Sequence, residues 1–175
     1  MIVFLLDLKR PYKYPWIYQL FITMPEYYQG KYRPKNPHKY KGNPNEIYFR
    51  SSWEAKAMMY FDLREEVIQW SSEEIIVPYR SKLDGKKHRY FPDFVITVID
   101  KNGKKKTYMV EVKPYKQTIE PKPQKRMTKK YLREVQTYVI NKSKWEYAEE
   151  FCKDRGWEFT TITEKDLFGS AGINL

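Results

Sequence analysis

Two carboxylates and a lysine stand out by type and spacing. Asp93 follows Pro92 in Tyr90-Phe91-Pro92-Asp93-Phe94, and Glu111-Val112-Lys113 comes eighteen positions later. On a strand, residues two apart share a face, so Glu111 and Lys113 point the same way. Two hard oxygen donors held together suit Mg²⁺ or Mn²⁺ rather than zinc. Such an ion activates a water, orients a phosphate and stabilises developing charge, and an ammonium beside it can hold the attacking water or neutralise the phosphorane. The chemistry open to this trio is metal-assisted hydrolysis of a phosphodiester. Alone, Pro-Asp is also an ordinary turn and Glu-x-Lys ordinary strand alternation, so the elements that hold them decide.

The register between the two segments determines whether the carboxylates meet. A two-residue Asn102-Gly103 turn would place Asp93 opposite Val112 and separate them. A three-residue loop, Lys101-Asn102-Gly103, with Gly103 left-handed in a bulge, places Asp93 opposite Glu111. Cross-strand Cβ atoms are then ~5 Å apart, close enough to share one ion. The apolar alternation is compatible: Phe94, Ile96, Val98, Tyr108, Val110 and Val112 make one face, and Asp93, Glu111 and Lys113 fall on the other. The three-residue loop, or an equivalent bulge, is the expected geometry.

A helix precedes this hairpin. Ser51 and Glu54 have capping-box spacing, and Trp53, Ala57, Met58 and Phe61 lie along one face, which predicts a helix from Ser51 to about Arg64–Val67. Glu54 is either the reciprocal acceptor of that cap, worth ~1 kcal/mol, or a further metal or water ligand beside the strands. Glu73 and Glu74 read as surface residues. Downstream, Glu74 to Tyr79 reads as a short strand, Asp84-Gly85 as a hairpin turn, and His88 to Ile99 as one long strand. Lys106 to Lys113 reads as a third strand and Pro114 to Pro123 as a basic loop. A long helix starts at Thr128 or Lys129 and closes at Arg155-Gly156, with a last strand from Trp157 to Thr163. The order αβββαβ predicts an α/β domain, a small mixed β-sheet flanked by helices.

The 175 residues suffice for one domain of ordinary size, and 41% apolar residues can build its core. One Cys and two His exclude a disulfide framework and most zinc sites. The seven glycines form neither a P-loop nor a dinucleotide fingerprint. Ile2 to Leu6 is broken by Asp7, Lys9, Arg10 and Pro11, well short of a membrane span.

The net charge of +11 is concentrated: residues 1–50 carry +6 and residues 104–144 carry +10, while 51–103 and 145–175 are at −1 and −4. Two basic blocks around a neutral middle are the footprint of a polyanion binder. In the first, Lys31, Arg33, Lys35, Lys39 and Lys41 alternate with Tyr32, His38 and Tyr40 among three prolines, which predicts an extended basic arm over 27–50. Such an arm either follows a phosphate backbone with its rings on bases, or packs its tyrosines on the core and leaves its lysines wet. The second block supplies Lys116, Lys122, Lys125, Arg126, Lys129, Lys130 and Arg133. Residues 1–26 read as an N-terminal extension and 169–175 as a tail. Met24 reads as a natural start, which makes residues 1–23 a loose arm or an upstream mis-start.

Glu54 on a helix, Pro92-Asp93, Glu111-Val112-Lys113 and a following basic helix together resemble the PD-(D/E)xK nuclease superfamily. Tyr32-Arg33-Pro34-Lys35-Asn36-Pro37, Tyr48-Phe49-Arg50-Ser51-Ser52-Trp53-Glu54, Ser72-Glu73-Glu74-Ile75 and His88-Arg89-Tyr90-Phe91-Pro92-Asp93-Phe94 resemble, more specifically, the head completion nucleases of T-even-type phages, a family similar to the TnsA endonuclease. The resemblance covers about residues 27–168. It implies a restriction-endonuclease-like fold and a Mg²⁺-dependent DNA nuclease, endo- or exonucleolytic. It further implies processing of packaged double-stranded DNA during head completion and head–tail joining, in the host cytoplasm or at the virion neck, beside head and neck proteins. Asp93, Glu111 and Glu54 would be metal ligands and Lys113 the catalytic lysine, while Gln136 is a weaker candidate on the second helix. The rival expectations are a DNA-binding neck protein that does not cut, and a junction-resolving nuclease on the same fold.

Overall fold

The computed structural model describes residues 28–100 and 102–168; the expectations for residues 1–26 and for the 169–175 tail lie outside them. The described residues open with β1 (Gly30–Tyr32), a 3-10 turn (Pro37–Lys39), β2 (Ile47–Phe49) and α1 (Ser52–Leu63). Five strands follow: β3 (Val67–Ser72), β4 (Val77–Arg80), β5 (Lys87–Tyr90), β6 (Phe94–Ile99) and β7 (Lys105–Val112). The remainder is α2 (Tyr115–Thr118), α3 (Lys129–Lys153), β8 (Glu158–Ile162) and α4 (Glu164–Phe168).

The main sheet has the order β3-β6-β7-β8, antiparallel except for the parallel β7–β8 pair. Its residues face alternately to two cores. Phe94, Ile96, Val98, Tyr108, Val110 and Val112 pack with Met58, Phe61 and Trp70 on the α1 side. Val95 and Met109 pack on the other with Ala148 and Cys152 of α3 and with Val77, Tyr79 and Tyr90 of the small β4–β5 sheet. The result is the expected mixed sheet flanked by helices. Among the described residues, no helix is long and apolar enough to cross a membrane.

The β6–β7 pairing runs from Phe94↔Val110 to Ile99↔Lys105, and Asp100 N donates to Lys104 O across the loop. Gly103 has φ +78, the left-handed geometry the three-residue loop requires. Continued by one position, this register sets Asp93 across from Glu111.

Several elements differ from their predicted form: the expected loop over 114–123 holds α2, and the strand expected over Glu74 to Tyr79 starts only at Val77. The helix was expected to reach Arg64–Val67, but Arg64 is already extended and Val67–Ser72 is a strand on the sheet edge. Arg-Glu-Glu-Val-Ile continues a helical pattern locally. Burying Trp70 completely against Tyr40 and Tyr32, at ring distances of 4.7 and 5.8 Å, overrides it. The predicted long strand His88–Ile99 is broken at 91–93, because Pro92 lacks an N–H for a ladder and the chain there leaves the small sheet for the main one.

The basic arm is folded rather than extended. Its ends pair as β1–β2, and its middle is fastened to the end of α1 by Asp62. The fully buried Asp62 carboxylate accepts from Lys35 N at 2.7 Å, Asn36 N at 2.9 Å and the Tyr32 hydroxyl at 3.2 Å. Tyr32 and Tyr40 therefore pack on the core, as the second reading of the arm had it.

Candidate active site

The break at Pro92 leaves Asp93 immediately before β6, beside the end of β7. Its Oδ2 accepts from Val112 N at 2.8 Å. Glu111 is buried on the α3 side, where its Oε2 accepts from the Tyr90 hydroxyl at 2.6 Å. Lys113, two residues on and so on the same face, sets its Nζ 2.9 Å from Glu111 Oε1 and 4.0 Å from Asp93 Oδ2. The three residues line a cleft of about 450 Å³ whose wall also includes Arg50, Glu73 and Lys144.

Two carboxylates here face one ammonium, so the cluster is short of positive charge. Burial, then repulsion from Glu111, pushes the Asp93 carboxyl well above the usual carboxylate range, against the pull of Lys113 and the Val112 N–H. Burial alone would lower the Lys113 ammonium, but Asp93 and Glu111 outweigh it and leave its pKa raised. Burial and the Glu111 charge likewise push Tyr90 far above its ordinary value, so it remains a neutral donor. The donor set therefore fits a hard divalent cation, which would supply the missing charge and meet oxygen ligands from Asp93 and Glu111.

Glu54 does not join this pair. Its Oε1 accepts from the Ser51 hydroxyl at 2.9 Å and its Oε2 from Arg50 N at 2.8 Å, while Ser51 Oγ accepts from Glu54 N at 3.2 Å. These contacts close the helix end much as a capping box does, with the N–H of Arg50, one residue before the Ser51 cap, as the backbone donor. The side chain lines a neighbouring hollow of about 350 Å³ that shares Arg50 and Lys113 with the cleft, and its charge reaches both Asp93 and Lys113. Among the described residues no group of three or more His, Cys, Asp or Glu is assembled for a metal. Two carboxylates are in place, and the third stands next to them, occupied by the helix end.

Several residues of the cleft escape a reading of the sequence, Tyr90, Glu73 and Lys144 among them. Tyr90 comes from the small sheet. Glu73, expected at the surface, lies in the cleft wall with a left-handed φ of +56 and an ion pair to Arg50 at 3.0 Å. On α3, Gln136 is exposed and away from the cleft, whereas Lys144, two turns further on, lines it. Burial holds the Lys144 ammonium below its usual pKa. The strained backbone at Glu73 was a signal only a structure could give.

The basic residues separate into two groups. Lys116, Lys122, Lys129, Lys130 and Arg133 line a groove of about 800 Å³ between α2 and the first half of α3. Gln117 joins that groove to the Glu54 hollow, so three concavities run on from one another. Lys116 pairs there with Glu134 at 2.8 Å, and Lys125 and Arg126 are exposed just before α3. In the arm, Lys31, Arg33, Lys35 and Lys41 are exposed. Lys39 is the correction: its ammonium donates to the carbonyls of Asp62 at 3.1 Å and Arg64 at 2.7 Å, closing the end of α1 instead of facing a ligand.

Residues 64–164 match the family model described as TnsA-like endonuclease N terminal. The matched segment carries Asp93, Glu111 and Lys113 and begins after Glu54. The head completion nuclease of Enterobacteria phage T4 is 37% identical over 144 residues, 80% of this chain and 93% of that protein. No solved structure matches. Mixed sheet, flanking helices and matched length agree: the chain belongs to the TnsA-like endonuclease family, with a restriction-endonuclease-like fold, and is a relative of the phage T4 head completion nuclease.

Proposed function

We propose that this chain is a Mg²⁺-dependent deoxyribonuclease acting in head completion, where it processes packaged DNA so that the tail can join. The observation that carries the chemistry is the meeting of Asp93, just before β6, and Glu111 on β7, with the Lys113 ammonium 4.0 Å from the first and 2.9 Å from the second. The name of the T4 relative supports the place in virion assembly.

Asp93 and Glu111 would hold the ion, with Glu54 available if it is released from its cap. When bound, the ion supplies a Lewis acid for the phosphate and lowers the pKa of a ligated water. The protein's own contributions follow from the geometry. Tyr90 holds Glu111 in one rotamer, and Val112 N–H does the same for Asp93. Lys113, kept protonated by both carboxylates, can donate to the attacking water or to a non-bridging phosphate oxygen. The groove from Gln117 to Lys130 would carry the DNA backbone towards the cleft from one side.

The test is cleavage of linear duplex DNA by the purified chain with and without Mg²⁺, beside Asp93→Asn. Cutting that needs Mg²⁺ and vanishes in the variant, with DNA binding retained, supports the reading. Tight binding without cutting in the presence of Mg²⁺ would point instead to a structural role on the same fold.

A further inference from the structure

We infer that Lys144 is a second phosphate-binding cation of the cleft, reaching the DNA strand from α3 while Lys113 reaches it from β7. The inference rests on the nuclease reading and adds a residue to it.

The position is rigidly set. Ser143, fully buried, accepts from Lys82 N at 3.1 Å and donates to Val139 O at 2.8 Å, and Trp145 on the other side is buried. With both neighbours held, α3 cannot turn Lys144 out of the cleft that contains Asp93, Glu111 and Lys113. The Lys144 ammonium lies 5.5 Å from the centre of the Tyr90 ring, whose hydroxyl is the donor to Glu111. A lysine over an aromatic face is oriented without being neutralised.

Two other cations of the cleft already face carboxylates: Lys113 lies between Asp93 and Glu111, and Arg50 pairs with Glu73 at 3.0 Å. Arg89, like Lys144, lies over an aromatic ring, that of Phe91 at 5.3 Å, but it is exposed to solvent. Among the described residues no carboxylate forms an ion pair with Lys144. Glu111 and Asp93 attract it from a distance, but burial outweighs them, and a half-buried ammonium with no carboxylate in contact is costly to keep in place. An anionic substrate entering the cleft would offset that cost, and a phosphate diester carries the required charge and acceptor oxygens. The alternative is that Lys144 only packs its stem on Tyr90, which a change that removes charge and keeps length can separate.

The experiment uses Lys144→Met and Lys144→Arg in the full chain, with linear duplex DNA as probe. In the wild-type background, Lys144→Met is expected to lower kcat/KM about 10- to 100-fold with unchanged thermal stability, and Lys144→Arg to recover part of that loss. In an Asp93→Asn background, where bound DNA stays intact, adding Lys144→Met is expected to lower the slope of log affinity against log salt by about 1. The Mg²⁺-induced rise in melting temperature should persist in Lys144→Met, because no ligand is lost. Unchanged turnover and slope overturn the inference, and so does a loss of activity shared by both variants in step with lost stability. Absence of cutting by the wild-type protein would strike the nuclease reading itself, and the salt slope would still decide the phosphate contact.

Discussion

Tyr90 and Glu111 belong to different sheets, yet the Tyr90 hydroxyl donates to Glu111 Oε2 across 2.6 Å in the protein interior. The small β4–β5 sheet is thereby tied to the centre of the candidate site. Tyr90→Phe keeps the ring and removes the donor, leaving one oxygen of a buried carboxylate with a lost partner. A destabilisation of about 1–3 kcal/mol is expected in metal-free urea unfolding. Part of it should return with Mg²⁺, since a cation held by Glu111 replaces the missing donor. A full-size loss that Mg²⁺ leaves untouched would argue that Glu111 is not a ligand.

Asp93 gives the pH dependence. Its carboxyl is pushed up to about 8 by burial and then by Glu111, against ~3.9 for an unfolded aspartate. A raised carboxylate pKa means that the folded state holds the proton more tightly. Stability therefore falls as pH rises from about 4 towards 8 and levels off above that. Asp93→Asn removes this slope while its side-chain oxygen can still accept from Val112 N–H. Without metal, the variant is expected to match the wild type near pH 4 and exceed it by on the order of 1–3 kcal/mol at pH 8. With Mg²⁺ the order should reverse, because only the wild type keeps both ligands. Thermal melts across pH, with and without the ion, read all four cases; a variant less stable at pH 8 without metal would refute the assignment.

Glu54 holds two roles that a single amide separates. Glutamine still accepts from Arg50 N–H and suits a capping box, so Glu54→Gln is expected to leave unfolding free energy within about 0.5 kcal/mol of wild type. If the carboxylate also serves the ion or its water, cleavage should fall at least about 10-fold at fixed Mg²⁺ and recover in part at higher Mg²⁺. Undiminished cleavage would leave Glu54 as a helix cap alone.

What could be read in advance follows the range of the forces involved. The Asp93–Glu111 register was legible because Gly103 and the alternation from Phe94 to Val112 act over adjacent residues. The same holds for α3, whose Thr128 cap accepts from Tyr131 N at 3.1 Å and whose last residue, Lys153, is followed by a turn that closes at Gly156 with φ +66. The strand Val67–Ser72 was not legible, since only the distant Tyr32 and Tyr40 make burying Trp70 favourable. Lys144, Tyr90 and Glu73 enter the cleft through packing between elements, which no local pattern announces. For Glu54, spacing offered cap and ligand equally, and the contacts at 2.8 and 2.9 Å are those of the cap.

Lys39 and Lys130 test whether the basic residues have been sorted correctly. Both lie in basic blocks and are indistinguishable by composition. Lys39 spends its ammonium on the last carbonyls of α1 and has its pKa lowered by burial, with Asp62 pulling it back up. Lys130 is exposed on the groove that leads to the cleft. Lys39→Ala should cost about 1 kcal/mol of stability and leave the salt dependence of DNA affinity unchanged. Lys130→Ala should do the opposite, keeping stability and lowering the salt slope by about 1. Urea unfolding and DNA titrations at several salt concentrations give both readings for each variant. A drop in slope for Lys39→Ala with no loss of stability would return the arm to the DNA path.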